Sequence, residues 1–493
     1  MSIARSLLSK LSDPTLLPAA GYVAGRWVDT SDSGGTFDVL NPSTGETLAS
    51  LPDMGVAETA RAIDAAYEVQ KSWAAKTAKE RSVVVRALAD AMLATTDDLA
   101  TILTSEMGKP FAEAQGEIRY GASYLEWFAE EAKRNDGDVL PSPSADRRVI
   151  VLKQPVGVVG MITPWNFPNA MLARKMAPAF AAGCAVVSKP AEQTPLSAIA
   201  IAVLCERVGI PAGLFNLITG MDGPAIGKEM CSNAKLRKIS FTGSTEVGRI
   251  LMRQGAEQVL KLSLELGGNA PFVVFDDADL DAAVEGALLC KYRNAGQTCV
   301  CANRIYVQAS VYDAFAEKFA SAAAGLTPGD GFTAGSDMGP LIDDQGLAKV
   351  EDHLADALSK GAQLITGGSR SDAGTLFFEP TVLRDVTASM KVAREETFGP
   401  VAPLFKFDTV EDVIAQANAT EFGLAAYFYA RDLSRVWRVA EALEYGMVGV
   451  NTGIISNEGA PFGGVKQSGL GREGSKYGLD DYLEMKYVCL GGV

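Results

Sequence analysis

Histidine is nearly absent from this chain: one residue, His353, in 493. It sits in the charged helical stretch Lys349-Val-Glu-Asp-His-Leu, where it is expected to face solvent. This scarcity argues against a cysteine–histidine or serine–histidine pair and leaves general-base work to a carboxylate. The seven cysteines lack zinc-ligand spacing, and only Cys299 and Cys301 lie close together, so no metal site is expected. No apolar run approaches the ~20 residues that span a bilayer. Met1 to Leu17 carries one arginine and one lysine, without the apolar core or cleavage site of a signal peptide. A soluble, cytoplasmic protein is the expectation. Positive charge is also in deficit. A net charge of −15 and a pI near 4.8 disfavour nucleic acid and an anionic membrane surface as partners. Small anionic ligands stay open, since a local basic pocket can hold them.

What is present is ordinary globular material, 47% hydrophobic and 21% charged, in a chain too long for one compact core. Two or three domains are expected. Val149 to Thr163 reads as two short strands broken at Pro155, followed by a helix from Asn169 to Ala182 that stops at Gly183. Cys184 to Ser188 is a buried strand and Thr194 to Val208 a helix. The alternation continues through Leu214–Ile218, Pro224–Met230, Leu236–Phe241 and Ser244–Glu257. Such alternation implies parallel pairing and a Rossmann-like α/β sheet. A second block starts near Lys261 and includes strands at Pro271–Phe275, Arg304–Val307, Pro403–Phe407, Ala425–Tyr429 and Met447–Val450, with a helix at Tyr312–Ala324. Residues 132–148, rich in charge, proline and serine, interrupt the pattern as a linker would.

The most informative segment is Asn294-Ala-Gly-Gln-Thr-Cys299-Val-Cys301-Ala-Asn303. It presents a thiol after a Gly-Gln-Thr turn, and in a reducing compartment such a cysteine is a candidate nucleophile. A free thiol with a pKa of ~8.5 is only a few per cent ionised at neutral pH, so its surroundings must activate it. Upstream, Leu264-Glu265-Leu-Gly-Gly-Asn269 puts a carboxylate at a strand end. Asn166, in Pro164-Trp165-Asn166-Phe-Pro168, lies on a strand-to-helix loop. A fixed amide there can hold an oxyanion, although capping a helix is the commoner task of such an asparagine. Phe241-Thr-Gly243-Ser244-Thr-Glu-Val-Gly248 enters a helix but carries neither the full dinucleotide fingerprint nor the P-loop lysine.

Glu265 in its ELGG motif, followed by Cys299 in GQTC, resembles the aldehyde dehydrogenase superfamily. The longer string from Gly296 to Asn303 resembles its succinate-semialdehyde dehydrogenase branch, with glutarate-semialdehyde dehydrogenases close by. The resemblance runs from about Gly25 nearly to the C-terminus. It implies an NAD-binding domain of Rossmann type in residues 1–131 and 149–262, an α/β catalytic domain in 263–472, and oligomerisation arms in 132–148 and 473–493. Cys299 is then the nucleophile, Glu265 the base that directs water, and Asn166 the oxyanion donor together with the Cys299 N–H. Thr163, Pro164, Trp165, Gly243 and Ser244 fall in the cofactor site, with Glu396 and Phe398 at the nicotinamide ribose and ring.

Lys189 and Glu192 take the adenosine ribose. Many NADP-using members of the branch carry a small residue where Glu192 stands, and a carboxylate repels a 2′-phosphate, so NAD is expected with NADP still possible. Arg174, Arg293 and Ser456 match contacts to the far carboxylate of a semialdehyde. Departures at Leu172-Ala173 and Gly459-Ala460 leave four- and five-carbon substrates open. A reversible Cys299–Cys301 disulfide is a further expectation, and a homodimer or homotetramer the expected assembly. A thiol esterase without redox chemistry and a non-catalytic NAD-binding protein are the remaining alternatives.

Overall fold

Ala185–Lys189 is buried at all five positions, as is Ala270–Val274, the burial of strands covered on both faces. Each lies inside a separate, mostly parallel sheet of the computed structural model, which describes residues 1–493. The first sheet has eight strands in the order Gly469–Leu470, Lys261–Glu265, Leu236–Thr242, Val158–Ile162, Ala185–Lys189, Phe215–Leu217, Gly21–Val23 and Arg26–Val28. Its five central strands are parallel. Val158–Ile162 comes first among these in sequence, yet it lies between the fourth and the second. Chain order therefore reverses there, and such a switch point opens a crevice beyond the carboxyl ends of the strands. Thr163 to Phe167 leave the sheet into that crevice.

The second sheet has seven strands, with Ala270–Val274 between Ala302–Gln308 and Ala425–Tyr429, and Met447–Val450 at one edge. One apolar core covers the first sheet and two more cover the faces of the second. The α/β expectation holds. The first sheet continues through Glu265, past the boundary expected at 262, because Lys238 to Thr242 pair in register with Lys261 to Glu265. The chain also returns late to this sheet. Gly469–Leu470 pairs antiparallel with Leu264 and Glu265, and the Leu266 N–H donates to the Ser468 carbonyl at 3.0 Å.

Residues 1–131, read only as part of a domain, contribute four long helices: Val56–Ala74, Ala78–Ala94, Thr96–Met107 and Phe111–Glu131. The last packs on Pro168–Ala182, the helix that follows Asn166. A small antiparallel sheet joins Asp138–Leu140, Arg147–Pro155 and Leu483–Gly491. The second arm segment, expected from Glu473, thus begins as a strand only at Leu483. Glu473 itself is buried against the Pro168–Ala182 helix. No helix of the chain is long and apolar enough to cross a membrane.

Candidate active site

The two sheets enclose a cavity of about 790 Å³, with Thr242, Gly243 and Ser244 in one part of its wall and Cys299 in another. Cys299 is the only cysteine on that wall and is half-buried; Cys489 is exposed and the other five are buried. The loop presenting it is kinked. Asn294 and Ala295 both have φ of 55°, and Gly296 follows at 76°. Non-glycine residues in that region cost about 1–3 kcal/mol each and persist where their surroundings over-determine them. Here the side chain of Gln297 does so. Its amide donates to Asn294 O and Pro340 O, each at 3.2 Å, and accepts from Ile342 N–H at 2.9 Å. A side chain at Gly296 would collide with the Gly399 carbonyl, so glycine alone lets the two loops close.

Asn166 is fixed from three directions. Its Nδ2 donates to Gln297 O at 3.0 Å. Its own carbonyl accepts from Lys109 Nζ at 2.8 Å and from Asn294 Nδ2 at 3.1 Å. Lys109 pairs in turn with buried Glu117 at 2.5 Å, and Glu117 accepts from Asn169 and Ala170 N–H groups at the start of the next helix. An amide nitrogen carries two N–H donors, so one stays free on a rigidly held group. The Cys299 N–H has no partner within the chain.

Burial chiefly pushes the Cys299 thiol up to about 12, against the pull of Arg174. The resting group is therefore a thiol. Glu265 is 3% exposed at the end of its strand and lies behind the cavity wall, where Leu266 and Gly267 face inward. Its Oε2 has no hydrogen-bond partner. Burial, then the charge of Glu473, raises Glu265 well above the ordinary carboxylate value, while Arg174 and Lys175 oppose the rise. Burial also pushes Glu473 upward, but its ion pairs with Arg174 and Lys175 outweigh that and hold it ionised.

Arg174 is 1% exposed and reaches the wall with its Nη2 unpartnered, its guanidinium 4.1 Å from the centre of the Phe462 ring. Arg293 and Ser456 lie on the same wall. Arg293 stands over the Phe167 ring at 5.5 Å, and no carboxylate is paired with it. A buried guanidinium with a free edge is costly unless an anion meets it.

Pro164, Trp165, Gly243, Ser244, Glu396 and Phe398 all line the cavity, and Trp165 meets Phe398 edge-on at 5.4 Å. Glu396 accepts from the Gly268 N–H at 3.2 Å, and burial pushes its carboxyl up to about 7. Thr163, Lys189, Glu192 and Cys301 do not line the cavity. Lys189 Nζ pairs with Glu192 at 2.7 Å, beside Gln193, which does. Cys301 Sγ is turned toward Lys291 O at 3.4 Å, away from the wall that Cys299 faces. The site fits a dinucleotide. Ser244 caps the 12-residue helix Thr245–Ala256, whose N-terminus suits a pyrophosphate, and the buried Thr242 Oγ1 beside it is unpartnered.

His353 does not face solvent as expected: it is 1% exposed, on the Leu347–Val350–Leu354 stripe of the Asp344–Ser359 helix. Sequence reasoning also missed Lys109, Glu117, Lys175 and Glu473. Glu473 had a local signal, a charged pair between glycines in Gly471-Arg-Glu-Gly474. The Lys109–Glu117 pair had none.

The chain is 61% identical to a 3-sulfolactaldehyde dehydrogenase of Pseudomonas putida, over 98% of this chain and 99% of that protein. It is also 61% identical to an NADP(+) succinate-semialdehyde dehydrogenase of Escherichia coli, over 98% and 100%. Identity to a glutarate-semialdehyde dehydrogenase of Pseudomonas aeruginosa is 60%, again over 98% and 100%. The crystal structure of an E. coli NADP-dependent enzyme superposes with a TM-score of 0.97 at 61% identity, covering 98% of this chain and all of that one. The model of the aldehyde dehydrogenase family matches residues 27–488, and the chain belongs to that family.

Proposed function

We propose that the chain oxidises succinate semialdehyde to succinate. One observation carries this substrate: the cavity wall holds Arg174 with a free guanidinium edge and Arg293 with no ion-pair partner. An aldehyde ending in an anion meets both, whereas an alkyl tail leaves the Arg174 Nη2 edge without a hydrogen-bond partner and Arg293 without a counter-ion. The three similar enzymes above are each named for a short aldehyde with an anionic far end. Comparing kcat/KM for succinate semialdehyde, glutarate semialdehyde, 3-sulfolactaldehyde and butanal tests the reading. Butanal turning over as well as the anionic substrates would overturn it. One methylene is usually worth ~1–3 kcal/mol, enough to rank the four- and five-carbon acids.

Cys299 gives up its proton to water in the cavity and its sulfur adds to the aldehyde carbon. The free N–H of Asn166 and the Cys299 N–H hold the oxygen that becomes negative. Gly243, Ser244, Trp165, Glu396 and Phe398 would hold a nicotinamide dinucleotide, which would supply the acceptor for the hydrogen and electron pair that leave the substrate carbon. Cys299 carries the acyl product as a thioester. Glu265 turns from behind Leu266, takes a proton from water and directs it onto that carbon, releasing the acid and the thiol. Burial and the Glu473 charge raise its affinity for protons, which strengthens it as a base once it is ionised. The Glu192 carboxylate beside Lys189 favours NAD over NADP.

We also propose a homodimer or homotetramer built through the small sheet. Its outward apolar residues support this: Val139 is 78% exposed and Met485 77%. Mass measurement in solution separates the two assemblies, and a monomer would reject both.

A further inference from the structure

The one histidine of the chain is buried where the mechanism does not use it. Both its nitrogens are engaged by the loop that carries Glu396 and Phe398. His353 Nδ1 lies 3.1 Å from Thr397 Oγ1, and Nε2 lies 3.3 Å from Glu395 Oε2. A carboxylate only accepts, so Nε2 carries the proton toward Glu395 and Nδ1 accepts from the Thr397 hydroxyl. The bond to Thr397 is the buried one, since Thr397 is 2% exposed and Glu395 is open to solvent.

Thr397 stands between the two residues proposed to hold the cofactor, and it lines the cavity with them. Phe398, next in the chain, has φ of 56°, a conformation its surroundings must impose. Those surroundings are the Asp344–Ser359 helix and the cysteine loop. A side chain at Gly399 would collide with Val350 of the helix, and one at Gly296 would collide with the Gly399 carbonyl. The loop is thus pressed between the two, and the imidazole supplies its one buried side-chain hydrogen bond from the helix.

We infer that His353 is a positioning residue for the dinucleotide: through Thr397 it fixes Glu396 and Phe398 where the nicotinamide half of the cofactor binds. This rests on the cofactor role proposed for those two residues.

The test is NADH binding followed by the fluorescence of the bound nucleotide, without turnover. His353→Ala and Thr397→Val are expected to weaken binding about tenfold, the scale of one buried hydrogen bond. The aldehyde KM at saturating dinucleotide should stay within about twofold of wild type. His353→Asn places an amide near the Nδ1 position and should bind NADH nearly as wild type does; His353→Gln, whose amide reaches the Nε2 position, should not. Unchanged binding in His353→Ala overturns the inference, as does His353→Asn binding as poorly as His353→Ala.

Because the chain has a single histidine, selective 15N labelling gives one imidazole signal pair in the unaltered enzyme. It should report a proton on Nε2 and move when NADH is added; an unmoved signal also overturns the inference. Glu396→Ala separates the two levels. If it leaves NADH binding intact, the cofactor assignment itself fails. If it weakens binding while His353→Ala does not, only the positioning role fails.

Discussion

Asn166 Nδ2 donates to the carbonyl of Gln297 at 3.0 Å, tying the loop that leaves the first sheet to the loop that presents Cys299. One N–H of the amide holds the geometry and the other is left free, for the oxyanion role proposed above. Asn166→Ala removes both roles. We expect kcat to fall about 10²–10³-fold, the range for one lost oxyanion donor, with little change in substrate KM. Steady-state kinetics check this, and an undiminished kcat would reject the oxyanion role.

Arg174→Met should discriminate by substrate. It removes the unpartnered guanidinium edge from the wall but leaves Glu473 paired with Lys175. We expect kcat/KM for succinate semialdehyde to drop about 100-fold or more, as for a lost charge-assisted pair of ~3 kcal/mol. For butanal it should drop far less. Equal losses on both aldehydes would make Arg174 a structural residue only.

The Glu473 charge helps to raise Glu265, so Glu473→Gln should lower the Glu265 pKa. It also frees Arg174 and Lys175 to act on Glu265 in the same direction. A base works once deprotonated, so hydrolysis of the thioester rises with pH through its pKa. The rising limb should therefore move to lower pH in the variant. Rates measured with a preformed acyl-enzyme across pH check this, and a shift to higher pH would contradict it.

Glu192 is paired with Lys189 at 2.7 Å in a chain otherwise close to a relative named for NADP(+). Glu192→Ser should release the lysine for a 2′-phosphate and remove the repelling carboxylate. We expect the ratio of kcat/KM for NADP to that for NAD to rise about tenfold or more, the scale of one charge contact. An unchanged ratio places cofactor choice elsewhere.

Cys301 is buried with its sulfur toward Lys291 O, so a disulfide with Cys299 requires the Thr298–Cys301 turn to open. If that bridge forms, peroxide should inactivate the wild type and dithiothreitol restore it. Cys301→Ala should then lose the protection and oxidise beyond rescue. Wild-type sensitivity and rescue surviving intact in Cys301→Ala would remove the disulfide.

Strand and helix placement was legible because the parallel strands read as short apolar runs and the helices end on residues such as Gly183. The Cys299 and Asn166 motifs were legible because each is local, a turn with its glycine or a strand-to-helix loop. The Lys109–Glu117 pair was not. It reads as two surface charges until Phe111–Glu131 packs on the helix after Asn166. Glu473 acquires its meaning only from Arg174 and Lys175, nearly three hundred residues away. His353 was misread from its charged neighbours, although it falls three residues after Val350 on the buried stripe. The four early helices are amphipathic in the ordinary way, but no motif drew attention to them.

The carboxylate of Glu473 reaches its partners only after almost the whole polypeptide has been made. Domains tend to fold in the order they emerge from the ribosome. The crevice at Asn166 and the thiol loop can therefore be assembled while Arg174, Lys175 and Glu265 still lack their acidic neighbour. A chain released early, cut short near residue 470, would retain its nucleophile but leave two buried cations facing each other. The end of the chain thus completes the charge balance of a crevice whose other walls are laid down far earlier.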